Sequence, residues 1–435
     1  MTKIFNINDD LYNKKLNSFL YKNRFREKNI SDKVSKIILN VKNKGDKALV
    51  QYTRKYDNYN INNNFLKVSE SEINYAIKNC SSDLRKALKI AAKRIGDFHK
   101  LQTPKDFKHK DKEGVYLGVK WTPLDSVGLY VPGGKASYPS SVLMTAVPAK
   151  IAGVNEISMC VPAPKGYLNG SVLLAAKIAG VKNIYKIGGA QAIAALAFGT
   201  ETITPVNKIF GPGNSWVAEA KRQVYGKVGI DMLAGPSEIM VLADNKSNPK
   251  WIAADLLSQA EHDFAAQSIL ITNDLIFAKK VEIEIKKLFK VLPRSEISQV
   301  SWKENGVIIV VKNWKQAIEI INFVAPEHLE LSIDEPESVS KNVKNAGAIF
   351  MGRYVPEAIG DYIAGPNHVL PTSGTAKFSS GLSTVDFMKR TSLVKCNKKS
   401  LSIIAPSAIR ISQSEGLFAH ALSMQIRTNN FKNEK

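Results

Sequence analysis

Four apolar runs, Val127–Val131, Glu156–Val161, Asn183–Ile187 and Val206–Phe210, recur at a spacing of roughly 25–30 residues, the length of one strand plus one crossover helix. Parallel strands cannot be joined by a tight turn, so this spacing restricts the chain to strand–helix–strand units. Helical segments lie between the runs at Ser140–Ala152 and Gly170–Ala179. The expectation is a parallel sheet of doubly wound type. Each run ends in a turn rich in glycine or proline: Val131-Pro132-Gly133-Gly134, Val161-Pro162-Ala163-Pro164, Gly188-Gly189-Ala190-Gln191 and Gly211-Pro212-Gly213-Asn214. Such turns lie where open α/β sheets bind ligands, and glycine lets a phosphate approach backbone amides. Short turns also need glycine for geometry alone, and none of the four matches the Gly-x-Gly-x-x-Gly fingerprint, so both explanations stand.

A second series follows Ala234-Gly235-Pro236-Ser237-Glu238. Strands are expected at Ile239–Ala243, Ser268–Thr272, Val307–Val311 and Ala348–Met351, and helices at Trp251–Asp263, Phe277–Leu288 and Trp314–Phe323. The fold class is therefore α/β, with two Rossmann-like, incomplete, doubly wound parallel-sheet domains. From Ile7 to about Arg94 the pattern is helical and charged. Past Gly374 the chain turns serine- and lysine-rich, with a short helix near Pro406–Ile411 and another over Glu415–Arg427.

A chain of 435 residues calls for two or three domains. No apolar run reaches membrane-span length and Met1-Thr2-Lys3-Ile4-Phe5-Asn6 lacks a signal-peptide core, so a cytoplasmic location and no membrane partner are expected. Three scattered cysteines argue against a disulfide framework or a thiolate metal cluster. The net charge of +22 raises the question of nucleic acid. Its lysines are dispersed through nearly every segment, whereas phosphate binding needs basic residues gathered on one surface, so no nucleic-acid partner is expected.

One helix carries unusual polar residues. Asn248 is a candidate cap and Pro249 the first helical residue, and Gln259 and His262 then fall on one face of the last turns. An amide oxygen and an imidazole projecting together can serve as two ligands of a divalent metal; a histidine near a helix C-terminus is the plainer explanation. Of six histidines, His262, His328, His368 and His420 each have a carboxylate close by, whereas His99 and His109 lie in lysine-rich sequence expected to be solvated. Histidine with carboxylate serves both metal coordination and acid–base chemistry, so a shared site is expected.

The segments Gly211–Asn214, Ala234–Glu238, Ser258–Asp263, Ala325–Glu330, Gly360–His368 and Glu415–His420, in this order, closely resemble histidinol dehydrogenase across nearly the whole chain. The resemblance implies oxidation of L-histidinol through L-histidinaldehyde to L-histidine with two NAD+, the last steps of histidine biosynthesis. It implies one Zn2+ per subunit, held by Gln259, His262, Asp361 and His420, the last supplied across a homodimer with shared active sites. It places NAD at Tyr130, Gln191 and Asn214, and acid–base chemistry at Glu327 and His328. Ser237, Tyr362, His368 and Glu415 hold the substrate beside the metal and acid–base residues. Without the resemblance, Glu327 and His328 read as an exposed charged pair at a helix end. The domains it implies are an N-terminal dimerisation arm at 1–25, a metal and catalytic domain of 26–126 with 237–374, an NAD domain at 127–236, and a helical C-terminal dimerisation segment at 375–435. A related dehydrogenase of another small alcohol and a zinc hydrolase using Glu327 as base are the alternatives.

Overall fold

A computed structural model describes residues 2–6, 16, 18–19, 30–62, 66–133 and 138–428 of the chain. Strand β1 (Lys3–Asn6) is followed by helices α1 (Ser31–Lys44), α2 (Asp46–Asp57), α3 (Glu70–Lys78) and α4 (Ser82–Leu101), then by the hairpin β2 (Phe107–Lys110) and β3 (Tyr116–Pro123). Strands β4 (Ser126–Tyr130), β5 (Glu156–Cys160), β6 (Asn183–Tyr185), β7 (Lys208–Phe210) and β8 (Gly229–Ile230) alternate with α5 (Pro139–Ala152), α6 (Gly170–Ala179), α7 (Gly189–Phe198) and α8 (Ser215–Val224). A second alternation runs β9 (Glu238–Ala243), α9 (Pro249–Ala260), β10 (Gln267–Thr272), α10 (Leu275–Leu288), α11 (Ser295–Asn305), β11 (Val307–Val310), α12 (Trp314–Val324), β12 (His328–Ser332), α13 (Pro336–Ser340) and β13 (Ala348–Met351). The chain closes with α14 (Glu357–Tyr362), β14 (Met388–Lys395), α15 (Lys398–Ser414) and α16 (Phe418–Gln425).

Both alternations form parallel sheets, ordered β6-β5-β4-β7-β8 and β1-β11-β10-β9-β12-β13. In each, successive strands step outward to one side and the chain then returns to the other. The order reverses between β4 and β7 in the first sheet and between β9 and β12 in the second, which is the doubly wound topology expected. Every residue of β9 and β10 is buried, because helices cover both faces and the strands read as continuous apolar runs. Strand β12 escapes that pattern. His328-Leu329-Glu330-Leu331-Ser332 carries two titratable groups into the core, so periodicity does not mark it.

Helices α1 and α2 pack on α7 and share a buried cluster, including Val34, Ile37, Ile38 and Leu49, with Ile193 and Ile209; α4 packs on α5 and α6 and shares another, through Leu88, Ala91 and Ile95, with Val127, Leu129 and Ile157. Their apolar faces are thus covered by the helices that flank the first sheet, whereas the segment 26–126 was expected with 237–374.

Strand β1 pairs in parallel with β11 of the same chain, Lys3 opposite Val307, so this part of the expected arm 1–25 is an edge strand of the second sheet. Apart from residues 2, 16, 18 and 19, the remainder of the arm lies outside the described residues, as does Gly134. The C-terminal segment is not wholly helical. Strand β14 pairs antiparallel with β3, Met388 opposite Pro123, in a small sheet ordered β14-β3-β2. Nearly all of β14 is exposed, so no apolar alternation announces it; the backbone ladder to β3 fixes it instead. Helix α15 starts at Asn397, whose side chain accepts the Ser400 amide at 2.9 Å, and runs through Pro406. Helices α15 and α16 share a small cluster of Ala405, Ile409 and Ala421 and leave Ile403, Ile411, Phe418 and Ile426 exposed. Among the described residues no helix is long and apolar enough to cross a membrane.

Candidate active site

Asn248 caps α9 as expected, its side chain accepting from the Lys250 amide at 2.9 Å ahead of Pro249. The helix stops at Ala260, and His262 stands in the turn beyond it, its N–H donating to the Gln259 carbonyl at 3.2 Å. Gln259 is buried, its Nε2 3.2 Å from His328 Nδ1, and its Oε1 has no hydrogen-bond partner among the described residues. Burial pushes the His262 imidazole below its ordinary value, against the opposing charges of Asp361 and Glu261.

Ala325 leaves α12 in the left-handed region, with φ of 51°, and turns the chain into β12. Glu327 and His328 are therefore buried at the amino end of a strand rather than exposed at a helix end. The neighbouring start of β9 holds both. Glu327 Oε2 accepts from the Glu238 amide at 2.8 Å, and His328 Nδ1 lies 3.0 Å from the Glu238 carbonyl. Of the two groups at Nδ1 the Glu238 carbonyl, which can only accept, is nearer than the Gln259 Nε2, which can only donate, so the shorter contact places the ring proton on Nδ1 and leaves Nε2 with its lone pair. Nε2 has no hydrogen-bond partner among the described residues and faces Glu357 Oε1 at 3.6 Å and Asp361 Oδ1 at 3.8 Å. Burial drives the His328 pKa down, against Asp361, which favours the neutral ring. Burial also holds the Glu327 carboxyl well above the usual range; the Glu238 amide opposes this, and the charges of Glu238, Asp361 and Glu357 add to it.

Asp361 and Tyr362 end α14. His368 Nδ1 donates to the Asp361 carbonyl at 2.9 Å and lies 3.7 Å from its Oδ1. On the other side of the ring, Nε2 is 3.3 Å from Ser141 Oγ on α5, which ties the site to the helices of the first sheet. Ser237 is half-buried just before β9, and Tyr362 is exposed. Sequence reasoning missed Glu357. It is buried, one turn before Asp361, and the ligand atoms of His328, Glu357 and Asp361 lie within 4.8 Å of one another. The four-residue spacing from Asp361 on one helix face was the available signal. Behind it, the Glu330 carboxylate accepts from the Glu357 amide and hydrogen-bonds Asp255, a chain of buried acids. Burial, then neighbouring charge, pushes Glu357 up to about 9, and burial pushes Asp255 up to about 6.

Glu415 and His420 stand exposed on the C-terminal helices, and His262 and His420 both fall outside the close His328–Glu357–Asp361 grouping. His99, expected in solvated sequence, is fully buried, with Nδ1 2.8 Å from the Ile95 carbonyl and Nε2 3.4 Å from the Asn367 amide. Its lysines lie along the outer face of α4 while the ring turns inward.

The three residues expected at NAD gather at the carboxyl edge of the first sheet. Tyr130 ends β4, and its hydroxyl accepts from the Gly189 amide at 3.1 Å; burial pushes that hydroxyl up to about 12. Gln191 lies buried in the first turn of α7. Asn214 caps α8, accepting from the Trp216 and Val217 amides at 3.0 and 3.2 Å. Tyr130 and the Gly211–Asn214 turn flank the reversal of strand order. The Ser237, Gln259, His262, Glu327 and His328 group occupies the amino edge of the second sheet instead.

The model of the family described as histidinol dehydrogenase matches residues 20–428. A histidinol dehydrogenase of Rhodospirillum rubrum is 55% identical over 401 residues, covering 92% of this chain and 92% of the relative. One of Brucella abortus is 52% identical over 421 residues, covering 97% and 98%. The crystal structure of a histidinol dehydrogenase from Elizabethkingia anophelis superposes with a TM-score of 0.92 at 36% identity, over 99% of this chain and 98% of that one. With the family matched over nearly its full length in both sequence and fold, the chain belongs to the histidinol dehydrogenase family.

Proposed function

We propose that the protein oxidises L-histidinol through L-histidinaldehyde to L-histidine with two NAD+, using one Zn2+ per subunit in a homodimer with shared active sites. The observation that carries this is His328: a buried neutral imidazole whose Nδ1 is committed to the Glu238 carbonyl and whose Nε2 is free. Oxidising an alcohol requires a base for the hydroxyl proton as hydride leaves carbon, and Nε2 is that base. NAD, bound at Tyr130, Gln191 and Asn214 in the unit 127–236, supplies the hydride acceptor. In the first oxidation His328 takes the hydroxyl proton and the C=O bond forms. The aldehyde then gains water, Glu327 removing a proton from it, and His328 takes the next hydroxyl proton as the second hydride leaves. Glu327 adjoins His328 and is held by the Glu238 amide at 2.8 Å, which fixes its carboxyl beside that base for the water step.

Gln259, His262 and Asp361, with His420 of the partner subunit, fit a zinc ion. The orphaned Gln259 Oε1 and the mixed oxygen and nitrogen donor set suit a borderline metal. Bound there, zinc supplies a fixed point for the substrate's amino and imidazole nitrogens. Ser237, Tyr362, His368 and Glu415 complete the substrate pocket. The exposure of Glu415 and His420, together with the uncovered apolar residues of α15 and α16, supports a partner subunit seated on segment 375–435.

The test is the NADH formed per L-histidinol consumed at completion. Two per substrate, abolished by a zinc chelator and restored by zinc, is expected. One per substrate with aldehyde released, or none from folded zinc-loaded protein, would overturn the proposal.

A further inference from the structure

A buried ion pair lies under the turn that carries Asn214. Lys221 stands on α8, about two turns beyond Asn214, which caps the same helix. Asp231 follows the edge strand β8, its N–H donating to the Ile209 carbonyl at 3.1 Å. The Lys221 ammonium and the Asp231 carboxylate meet with their side chains only 2% and 1% exposed. Taking two charges out of water can outweigh their attraction, and apolar residues of similar size often serve a fold as well. Such a pair calls for a reason beyond stability.

Each partner also holds one polar group of Gly211, the first residue after β7. Lys221 Nζ donates to the Gly211 carbonyl at 3.0 Å, and Asp231 Oδ2 accepts from the Gly211 amide at 2.7 Å. Asp231 Oδ1 accepts from the Met232 amide at 2.7 Å as well as from Lys221, so its own turn fixes the carboxylate. The ladder between β7 and β8 stops at Ile209 opposite Ile230, and beyond it these side chains take over the backbone groups. Gly211 is also pressed against β4: at its φ of 111° an added Cβ would collide with the Tyr130 carbonyl. A glycine could follow several paths here, and the pair selects one by engaging both its amide and its carbonyl.

We infer that Lys221 and Asp231 are positioning residues that preform the Gly211–Asn214 turn for the dinucleotide, an inference that rests on NAD binding at this edge. Neither needs to touch the ligand. Through Gly211 the pair sets the start of the turn, while Asn214, accepting from the Trp216 and Val217 amides, sets its end. Asn214 and Tyr130, the residue whose carbonyl packs on Gly211, are two of the three proposed at NAD. A turn ordered in advance spares the dinucleotide the entropy of ordering it. Released from the pair, the turn is competent in only a fraction of the molecules, and the apparent Kd rises by the inverse of that fraction.

The experiment compares the zinc-loaded full chain with the double variant Lys221→Met, Asp231→Asn, which keeps both shapes and strands no charge. The Kd of NAD by calorimetry and the KM for NAD should rise about tenfold or more, the result of about one molecule in ten keeping the turn. The kcat at saturating NAD and the Kd of L-histidinol should stay within about twofold, because bound NAD restores the turn and the pair positions none of the residues proposed to hold L-histidinol. A pair that only supports the fold would lower kcat through fewer folded molecules and leave the KM for NAD unchanged; that result overturns the inference. Hydrogen exchange at the Gly211 amide of the wild type, with and without NAD, gives a second reading that needs no variant. Protection already present without NAD is expected. An amide that exchanges freely until NAD binds means that the ligand orders the turn, and it overturns the inference even where the variant fails to fold. Wild-type protein that binds no NAD overturns the NAD reading itself, whereas NAD bound with a KM indifferent to the pair overturns this inference alone.

Discussion

Glu327→Gln should separate the two oxidations. The carboxyl accepts from the Glu238 amide at 2.8 Å through Oε2, and a glutamine carbonyl can occupy the same place, so the amide of β9 keeps its partner. The substitution also removes a charge that burial and the neighbouring Glu238, Asp361 and Glu357 disfavour, so the folded state should not be weakened. What is lost is the base for water. Positioned proton transfer contributes about 10²–10⁴-fold, or about 3–5 kcal/mol of barrier. That cost falls only on the step that consumes the aldehyde. His328 keeps Nδ1 on the Glu238 carbonyl and Nε2 free, so hydride transfer from the alcohol should continue. The assay follows NADH from L-histidinol and, separately, from supplied L-histidinaldehyde. NADH per L-histidinol should drop from two toward one in the early phase while aldehyde accumulates. Equal slowing of both half-reactions, or an unchanged second oxidation, would refute the assignment of Glu327 to water.

His328→Asn should instead slow both oxidations by about 10²–10⁴-fold while NAD binding by calorimetry persists, since the ring is none of the three residues proposed to hold the dinucleotide; an unimpaired second oxidation would show that another base serves it. His420→Ala and Gln259→Ala, each inactive alone, should recover part of the activity when mixed through heterodimers holding one intact site, and no recovery between folded, subunit-exchanging variants would count against a shared site. Gly211→Ala places a Cβ 2.1 Å from the Tyr130 carbonyl at φ of 111°, so it should destabilise by at least about 1 kcal/mol and raise the KM for NAD, read from thermal melts and kinetics. In metal-free protein the raised carboxyls bind protons when folded that the unfolded chain has released. The stability these two acids contribute should therefore be full in acid and be lost as pH rises from the ordinary carboxylate range through about 6 for Asp255 and on through about 9 for Glu357; a double variant Asp255→Asn, Glu357→Gln whose melting temperature gains nothing on the parent's between pH 5 and pH 9 would contradict this.

The legibility of the site follows burial and chain distance. Asn248 and Pro249 announced the start of α9, because capping is local chemistry. Its end was not legible: the apolar period continues past Ala260, while the turn that carries His262 depends on what packs beyond it. The His–carboxylate neighbours pointed to a site without showing which acids face which ring. Glu327 adjoins His328 in sequence, yet its Oε2 lies 3.7 Å from the ring's Nδ1, and the acids facing Nε2 are Glu357 and Asp361 from another element. The inward turn of His99 was hidden by the lysines around it, since residues one apart on a helix point in different directions.

Sequence alone determined the strand-plus-helix spacing, and with it two parallel sheets, because parallel strands require crossovers of that length. It also carried the family, through six short segments whose order no single one of them could establish. Tertiary structure decided the rest. It drew β12 into the interior of the second sheet, one strand from the edge, despite its charges, by pairing it with β9 and β13. It gave β14 to β3 although almost all of β14 is exposed. And it set the carboxyl edge of one sheet to carry Tyr130 and Asn214 and the amino edge of the other to carry Glu327 and His328. Periodicity reports which face of an element is covered, but only the packed chain fixes which end meets which, and at those ends the buried groups lose water and acquire their reactivity.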